Sequence, residues 1–183
     1  DNDADMLTDF PADPGCSQAS DNNEVDCEDS DPLVPVTMST TIGNTTGSTH
    51  DFTPSCRTTS TSPEIVHEIT FPGELETLTV DTDGSGYDTT IYMRAGDCDA
   101  ATDVACDDDS GAGLQSLFTV TNVASGLYFI FVDGFSSGGT SQGAYRLNIS
   151  GVIKSGEACD MSQISSGMLS CATGTTCTSG ICQ

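Results

Sequence analysis

Positive charge is what this sequence has least of: 4 lysines and arginines face 28 aspartates and glutamates in 183 residues. A formal charge of -24 makes nucleic acid and anionic membrane surfaces poor partners, because both are already negative. Tryptophan is absent and aromatics make up 6% of the chain, which leaves little from which to build a sugar-stacking platform. The two histidines, His50 and His67, do not form a His-Glu-x-x-His metal motif, and His67 between Val66 and Glu68 reads as a strand position. No Gly-x-Ser-x-Gly elbow and no phosphate-cradling Gly-Lys-Ser/Thr loop occurs, and the cysteine spacings do not repeat the paired Cys-x-x-Cys of zinc sites. The chain is therefore not expected to be an enzyme. Long hydrophobic runs are missing too. The densest, Gly126 to Val132, has the length of a strand, far short of the roughly 20 residues that cross a bilayer, so no membrane span is expected. No basic, apolar leader opens the sequence, and Asp1 reads as a mature or trimmed start.

What is present is aspartate, which supplies 21 of the 28 acids. A merely solubilising surface would use glutamate as freely, whereas the shorter aspartate builds turns and oxygen-lined cation loops. Calcium is the expected cofactor. Nine cysteines, mostly among Gly, Ser and Asp, point to an oxidising compartment and hence to a secreted, extracellular or cell-surface protein.

Three regions follow along the chain. Residues 1–36 hold 11 of the 28 acids, four prolines and two cysteines with almost no apolar period, as an irregular calcium-binding arm would. Residues 37–153 alternate short runs of Val, Ile, Leu, Phe, Tyr and Thr with Gly, Ser and Asp, the pattern of an all-β antiparallel sandwich. Strands are predicted near Val36–Ile42, Glu64–Phe71, Leu75–Asp81, Thr89–Arg94, Leu114–Thr121, Gly126–Val132 and Ala144–Ile149. The run at Gly126–Val132 is apolar on both faces and reads as central, whereas the alternation of Leu75–Asp81 is imperfect. Residues 154–183 carry four cysteines and few large apolar side chains, so they read as a disulfide-rich tail.

Within the arm, Asp1, Asp3, Asp5, Leu7 and Asp9 sit at alternate positions, as in loops that wrap one calcium with carboxylates and a backbone carbonyl, here that of Leu7. Met6 departs from that pattern, since the tight turn there takes glycine. A solvated acidic tail is the competing reading. The phrases Asp9-Phe10-Pro11-Ala12-Asp13-Pro14-Gly15-Cys16 and Ser20-Asp21-Asn22-Asn23-Glu24 make this stretch resemble a thrombospondin-type-3-like calcium segment. That resemblance implies that Asp13, Asp21 and Glu24 also hold calcium and that Cys16 and Cys27 fasten the loop.

A second acidic group comprises Asp97, Asp99, Asp103, Asp107, Asp108 and Asp109, bracketing Cys98 and Cys106, whose bridge would close a small acidic loop. Asp81, Asp83 and Asp88 lie in a Gly-rich turn; if the turns meet at one end of the sheets they form a second metal site, and otherwise they are hydrated Asp-rich turns.

The phrases Gly43-Asn44-Thr45-Thr46-Gly47, Glu64-Ile65-Val66-His67-Glu68-Ile69-Thr70-Phe71-Pro72, Tyr87-Asp88-Thr89-Thr90-Ile91-Tyr92, Ala105-Cys106-Asp107-Asp108-Asp109, Gly126 to Gly134 and Gly143 to Leu147 carry a second resemblance. Residues 43–150 are similar to the bacterial pre-peptidase C-terminal domain, in the form found in secreted myxobacterial-type proteins. The resemblance implies a jelly-roll-like β-sandwich without catalysis, with Asp88 and Asp107 to Asp109 at one end as possible calcium ligands. Many relatives place a cysteine where Asp83 stands, so Cys56 loses the partner the family would give it. The expected bridges are then Cys16–Cys27, Cys98–Cys106 and two among Cys159, Cys171, Cys177 and Cys182, in any of three connectivities. Cys56 would join a neighbouring subunit, displace a tail cysteine or stay free.

These readings converge on a secreted calcium-binding structural protein, a homo-oligomer or filament subunit of an extracellular fibre or surface assembly. The alternative is a monomeric adhesive or polymer-binding accessory module of a secreted hydrolase.

Overall fold

A computed structural model describes residues 33–136 and 141–183. The expected arm ligands Asp1, Asp3, Asp5, Leu7, Asp9, Asp13, Asp21 and Glu24, and the pair Cys16–Cys27, lie outside the described residues.

Among the described residues the regular structure is almost all strand: β1 (Val34–Pro35), β2 (Thr40–Asn44), β3 (Ile65–Phe71), β4 (Leu75–Asp81), β5 (Thr89–Ala95), β6 (Ala105–Asp107), β7 (Leu117–Val123), β8 (Gly126–Gly134) and β9 (Ala144–Ile153). A five-residue helix α1 (Met161–Ser165) and the short strands β10 (Leu169–Cys171), β11 (Cys177–Thr178) and β12 (Ile181–Cys182) complete it. One sheet runs β1-β3-β8-β5-β6; the other runs β10-β9-β4-β7, with β2 sharing β9's outer edge. Pairing is antiparallel except at two edges, β1 on β3 and β10 on β9. This is the two-sheet sandwich expected from the sequence.

Between the sheets, Ile69, Phe71, Ile91, Met93, Ile130 and Val132 of the first meet Leu75, Leu78, Val80, Leu147, Ile149 and Ile153 of the second in one core. The imperfect alternation of β4 has a local cause. A register shift between Leu75 and Thr77 against β9 lets Leu75 and Leu78 both point inward, three positions apart.

Strand β8 is apolar on both faces because both are covered. Tyr128, Ile130 and Val132 face the sandwich core, while Phe129 and Phe131 join Phe52, Val66, Tyr92 and Cys98 in a second cluster on the sheet's outer side. Arg94 pins that outer layer. Its guanidinium lies 5.1 Å from the Phe131 ring and 5.6 Å from that of Phe52, and donates to the carbonyls of Cys98 (2.6 Å) and Thr53 (3.1 Å) and to the Asp103 carboxylate (2.9 Å). Two loops are thereby held down on the sheet by one buried cation.

The structure departs from the sequence reading in several places. The single strand expected at Val36–Ile42 is two, because the chain changes sheets: β1 pairs with β3, then β2 pairs with β9. Pro35 has no N–H to donate and suits the short edge strand it occupies. The strand expected at Leu114–Thr121 is displaced to Leu117–Val123, because Ser116 is held before it by the buried hydroxyls of Thr82 and Thr89. Cys106 pairs with Cys56, not with Cys98. Strand β6 lies beside β5 with Cys106 opposite Tyr92, on the outer side where the 50–64 loop brings Cys56; Cys98 is disulfide-bonded elsewhere. Cys56 is thus neither free nor available to another subunit. In the tail the bridges are Cys159–Cys177 and Cys171–Cys182, and Met168 and Leu169 enter the sandwich core, so residues 154–183 pack on β9 as well as on themselves.

Candidate metal centre

Strand pairing explains which aspartates meet. Because β6 runs antiparallel to β5 with Asp107 opposite Ile91, the chain leaving β6 returns toward the start of β5, where Asp88 stands. Asp108 arrives beside Thr90, whose hydroxyl donates to its Oδ1 at 3.0 Å. One carboxylate oxygen from each of Asp88, Asp108 and Asp109 then falls within 4.8 Å of the others. At that spacing two charges repel by about 3.5 kcal/mol at an effective dielectric near 20, before solvent screening of this partly exposed corner. Burial, then the charges of Asp109 and Asp108, push the Asp88 carboxyl up; Arg57 opposes them. Asp108 is likewise raised, first by burial, with the Thr90 hydrogen bond pulling the other way. Arg57 is tethered there by stacking on Phe135 at 4.0 Å and by donating to the Ser136 carbonyl at 2.7 Å. The buried Oδ1 of Asp88 has no hydrogen-bond partner among the described residues. Three hard oxygen donors so arranged suit a calcium ion, whose ligands lie about 2.3–2.6 Å from the metal.

The other aspartates singled out from the sequence hold backbone. Asp107 accepts from the N–H groups of Leu117 (2.8 Å) and Ser110 (3.0 Å), closing the loop that carries its neighbours. Asp81 accepts from Asp83 N–H (3.0 Å) and from the Asn148 amide (2.6 Å), and Asp83 accepts from Ala112 N–H (2.9 Å). Neither Asp81 nor Asp83 is among the three converging carboxylates. Asp103 is committed to Arg94 and to Ser55 N–H, while Asp97 caps its own turn through Asp99 N–H.

A second convergence was not visible in the sequence as a motif: His50, Glu64 and Asp133 also bring one ligand atom each within 4.8 Å. Glu64 is 3% exposed and Asp133 fully buried. Burial pushes Asp133 up to about 8, with Glu64 and Asp108 adding to the effect and the Gly134 N–H opposing it. Burial also raises Glu64, against the lowering pull of its hydrogen bonds from Phe52, Asp51 and His50. A Cβ on Gly134 would collide with the Ser141 carbonyl, so glycine is what lets residue 141 close over this end of β8.

No family model matches this chain, and no curated protein does. Among solved structures, the pre-peptidase C-terminal domain of a collagenase from Bacillus anthracis is similar at 13% identity and a TM-score of 0.40, covering 64% of this chain and 94% of that one. PliG, a periplasmic inhibitor of g-type lysozyme from Aeromonas hydrophila, is similar at 18% identity and a TM-score of 0.40, covering 64% and 96%. Overlaps of that size assign no function.

Proposed function

We propose that this protein is a secreted calcium-binding structural module, a subunit of an extracellular fibre or surface assembly stabilised by calcium and disulfides. The observation that carries the reading is the meeting of Asp88, Asp108 and Asp109 at one corner of the first sheet, with a single tethered arginine whose charge reaches Asp88 and Asp108. A divalent ion there would replace mutual repulsion by shared attraction and would bind only the folded chain, so it would raise stability by mass action. The bridges Cys56–Cys106, Cys159–Cys177 and Cys171–Cys182 support an oxidising, extracellular or envelope setting. Assembly is supported by charge and by an open edge. Copies carrying -24 each pack closely only with cations between them. Strand β2 is paired on one side alone among the described residues, with Ile42 73% exposed, which suits addition of a strand from a neighbour.

The test is thermal melting of metal-depleted protein with and without millimolar calcium, alongside size-exclusion chromatography and electron microscopy in calcium and then in chelator. The expected outcome is a melt raised by calcium, and fibres that loosen on chelation. An unchanged melt removes the calcium reading. A monodisperse monomer in both conditions removes the assembly and favours the adhesive accessory module.

A further inference from the structure

We infer that His50, Glu64 and Asp133 form a second metal site, separate from the aspartate corner and suited to Zn²⁺ or a similar transition ion. The site lies on the outer side of the first sheet, beneath the loop that leads from His50 to β3. Its donor set is one imidazole nitrogen and two carboxylates, the mixture borderline ions take and the all-oxygen preference of calcium does not require.

Each carboxylate has one oxygen held by backbone N–H; the other oxygen of Glu64 meets only His50, and that of Asp133 meets no donor among the described residues. Glu64 Oε1 accepts from the backbone N–H groups of Asp51 (2.7 Å) and Phe52 (2.6 Å), which leaves Oε2 facing His50 Nδ1 at 3.2 Å. Asp133 Oδ1 accepts from Gly134 N–H and, at 3.5 Å, from the Ser60 hydroxyl; its Oδ2 is buried without a hydrogen-bond partner among the described residues. Outer contacts of this kind fix the direction of metal-binding side chains. The 3.2 Å separation of Nδ1 and Oε2 is close to the ~3.3 Å edge of a tetrahedron whose bonds are about 2.0–2.1 Å long.

A second unpartnered polar atom lies within reach of the charges of the same two carboxylates. The hydroxyl of the fully buried Tyr92 has no hydrogen-bond partner among the described residues, and the charges of Glu64 and Asp133 both act on it. Two unsatisfied polar atoms near one buried acidic pair are groups that a bound ion carrying a water would satisfy. Such an ion would also offset the two negative charges, which one histidine cannot do. Entry is from the His50 side, where that side chain is 28% exposed against 2% for Glu64.

The proposal is tested with Co²⁺ as a spectroscopic probe, titrated into the intact protein already saturated with calcium so that all-oxygen sites are filled. One equivalent is expected to bind with the visible absorption of a low-coordinate, nitrogen-containing site and to be displaced by Zn²⁺. His50→Gln, at a partly exposed position, is expected to weaken Zn²⁺ binding at least about tenfold and to abolish the absorption, while Asp109→Asn, whose charge does not act on Asp133, leaves both unchanged. Failure of the wild type to bind one equivalent, or an unaltered affinity in His50→Gln, overturns the site. Because Asp109→Asn targets only the calcium corner, loss of one metal response without the other shows which reading has failed.

Discussion

Two acidic clusters sit on either side of Thr90, and they solve the same electrostatic problem differently. Asp108 accepts the Thr90 hydroxyl from one side, and Asp133 stands opposite Thr90 on β8. The corner of Asp88, Asp108 and Asp109 is partly open, so water and Arg57 already moderate its charge and a hard ion would complete the job. The cluster of His50, Glu64 and Asp133 reaches solvent only at His50, and burial raises the Asp133 carboxyl so that without an ion it keeps its proton. Exposure, more than the number of acids, decides which of these responses a cluster shows.

The largest expected effect lies in the closed cluster. In divalent-free buffer the folded protein holds a proton on Asp133 up to about pH 8, whereas an unfolded aspartate releases it near 3.8. The folded state therefore binds more protons between those values, and its stability falls as pH rises, by up to about 1.4 kcal/mol per pH unit from this group, levelling off above 8. Asp133→Asn, which cannot ionise, is expected to flatten that decline. Denaturant melts of both proteins from pH 4.5 to 8.5 measure it, and parallel curves would mean that Asp133 is ionised in the fold and that the clusters do not differ as described.

The same contrast explains what could be read from the sequence. Asp88, Asp108 and Asp109 are legible because Asp107 to Asp109 is a dense acidic run and Asp88 opens a recognisable strand, and the family resemblance sets both at one end of the sandwich; density does not tell that Asp107 turns to the backbone instead. Glu64 and Asp133 stood in view as a strand's first residue and a strand's end, and His50 as a loop residue outside any motif. What joins them is the pairing of β3 and β5 with β8, a long-range fact with no local signature. Proximity misled in the same way at Cys98 and Cys106, where a short loop suggested a bridge that sheet geometry gives to Cys56. Strand positions fared better, since β-branched and aromatic runs are local. They failed where the chain changed sheets at residues 36–39 and where Ser116 was captured by Thr82 and Thr89, both consequences of tertiary contacts.

A smaller effect is expected at the open corner. Asp108→Asn removes one of three repelling charges, so without calcium it changes stability by less than about 1 kcal/mol, in the stabilising direction, because solvent screens the site. With calcium the order reverses: the variant is expected to lose more than half of the ion-induced rise in melting temperature. A full calcium response in Asp108→Asn would detach the ion from this corner and leave the two clusters alike in having no demonstrated cation.

Arg57 offers the finest division of the comparison. Its guanidinium stacks on Phe135 and lowers the Asp88 and Asp108 carboxyls, so it is both packing and counter-charge. Arg57→Gln loses both contributions in chelator, a cost of roughly 0.5–1 kcal/mol. A bound divalent ion supplies the counter-charge itself and would be repelled less by glutamine than by arginine. The deficit is therefore expected to shrink when melting is repeated in calcium, and the variant's calcium affinity to rise. An equal deficit in both buffers would assign Arg57 to packing alone, and the corner's charge would then be moderated by water rather than by a fixed cation.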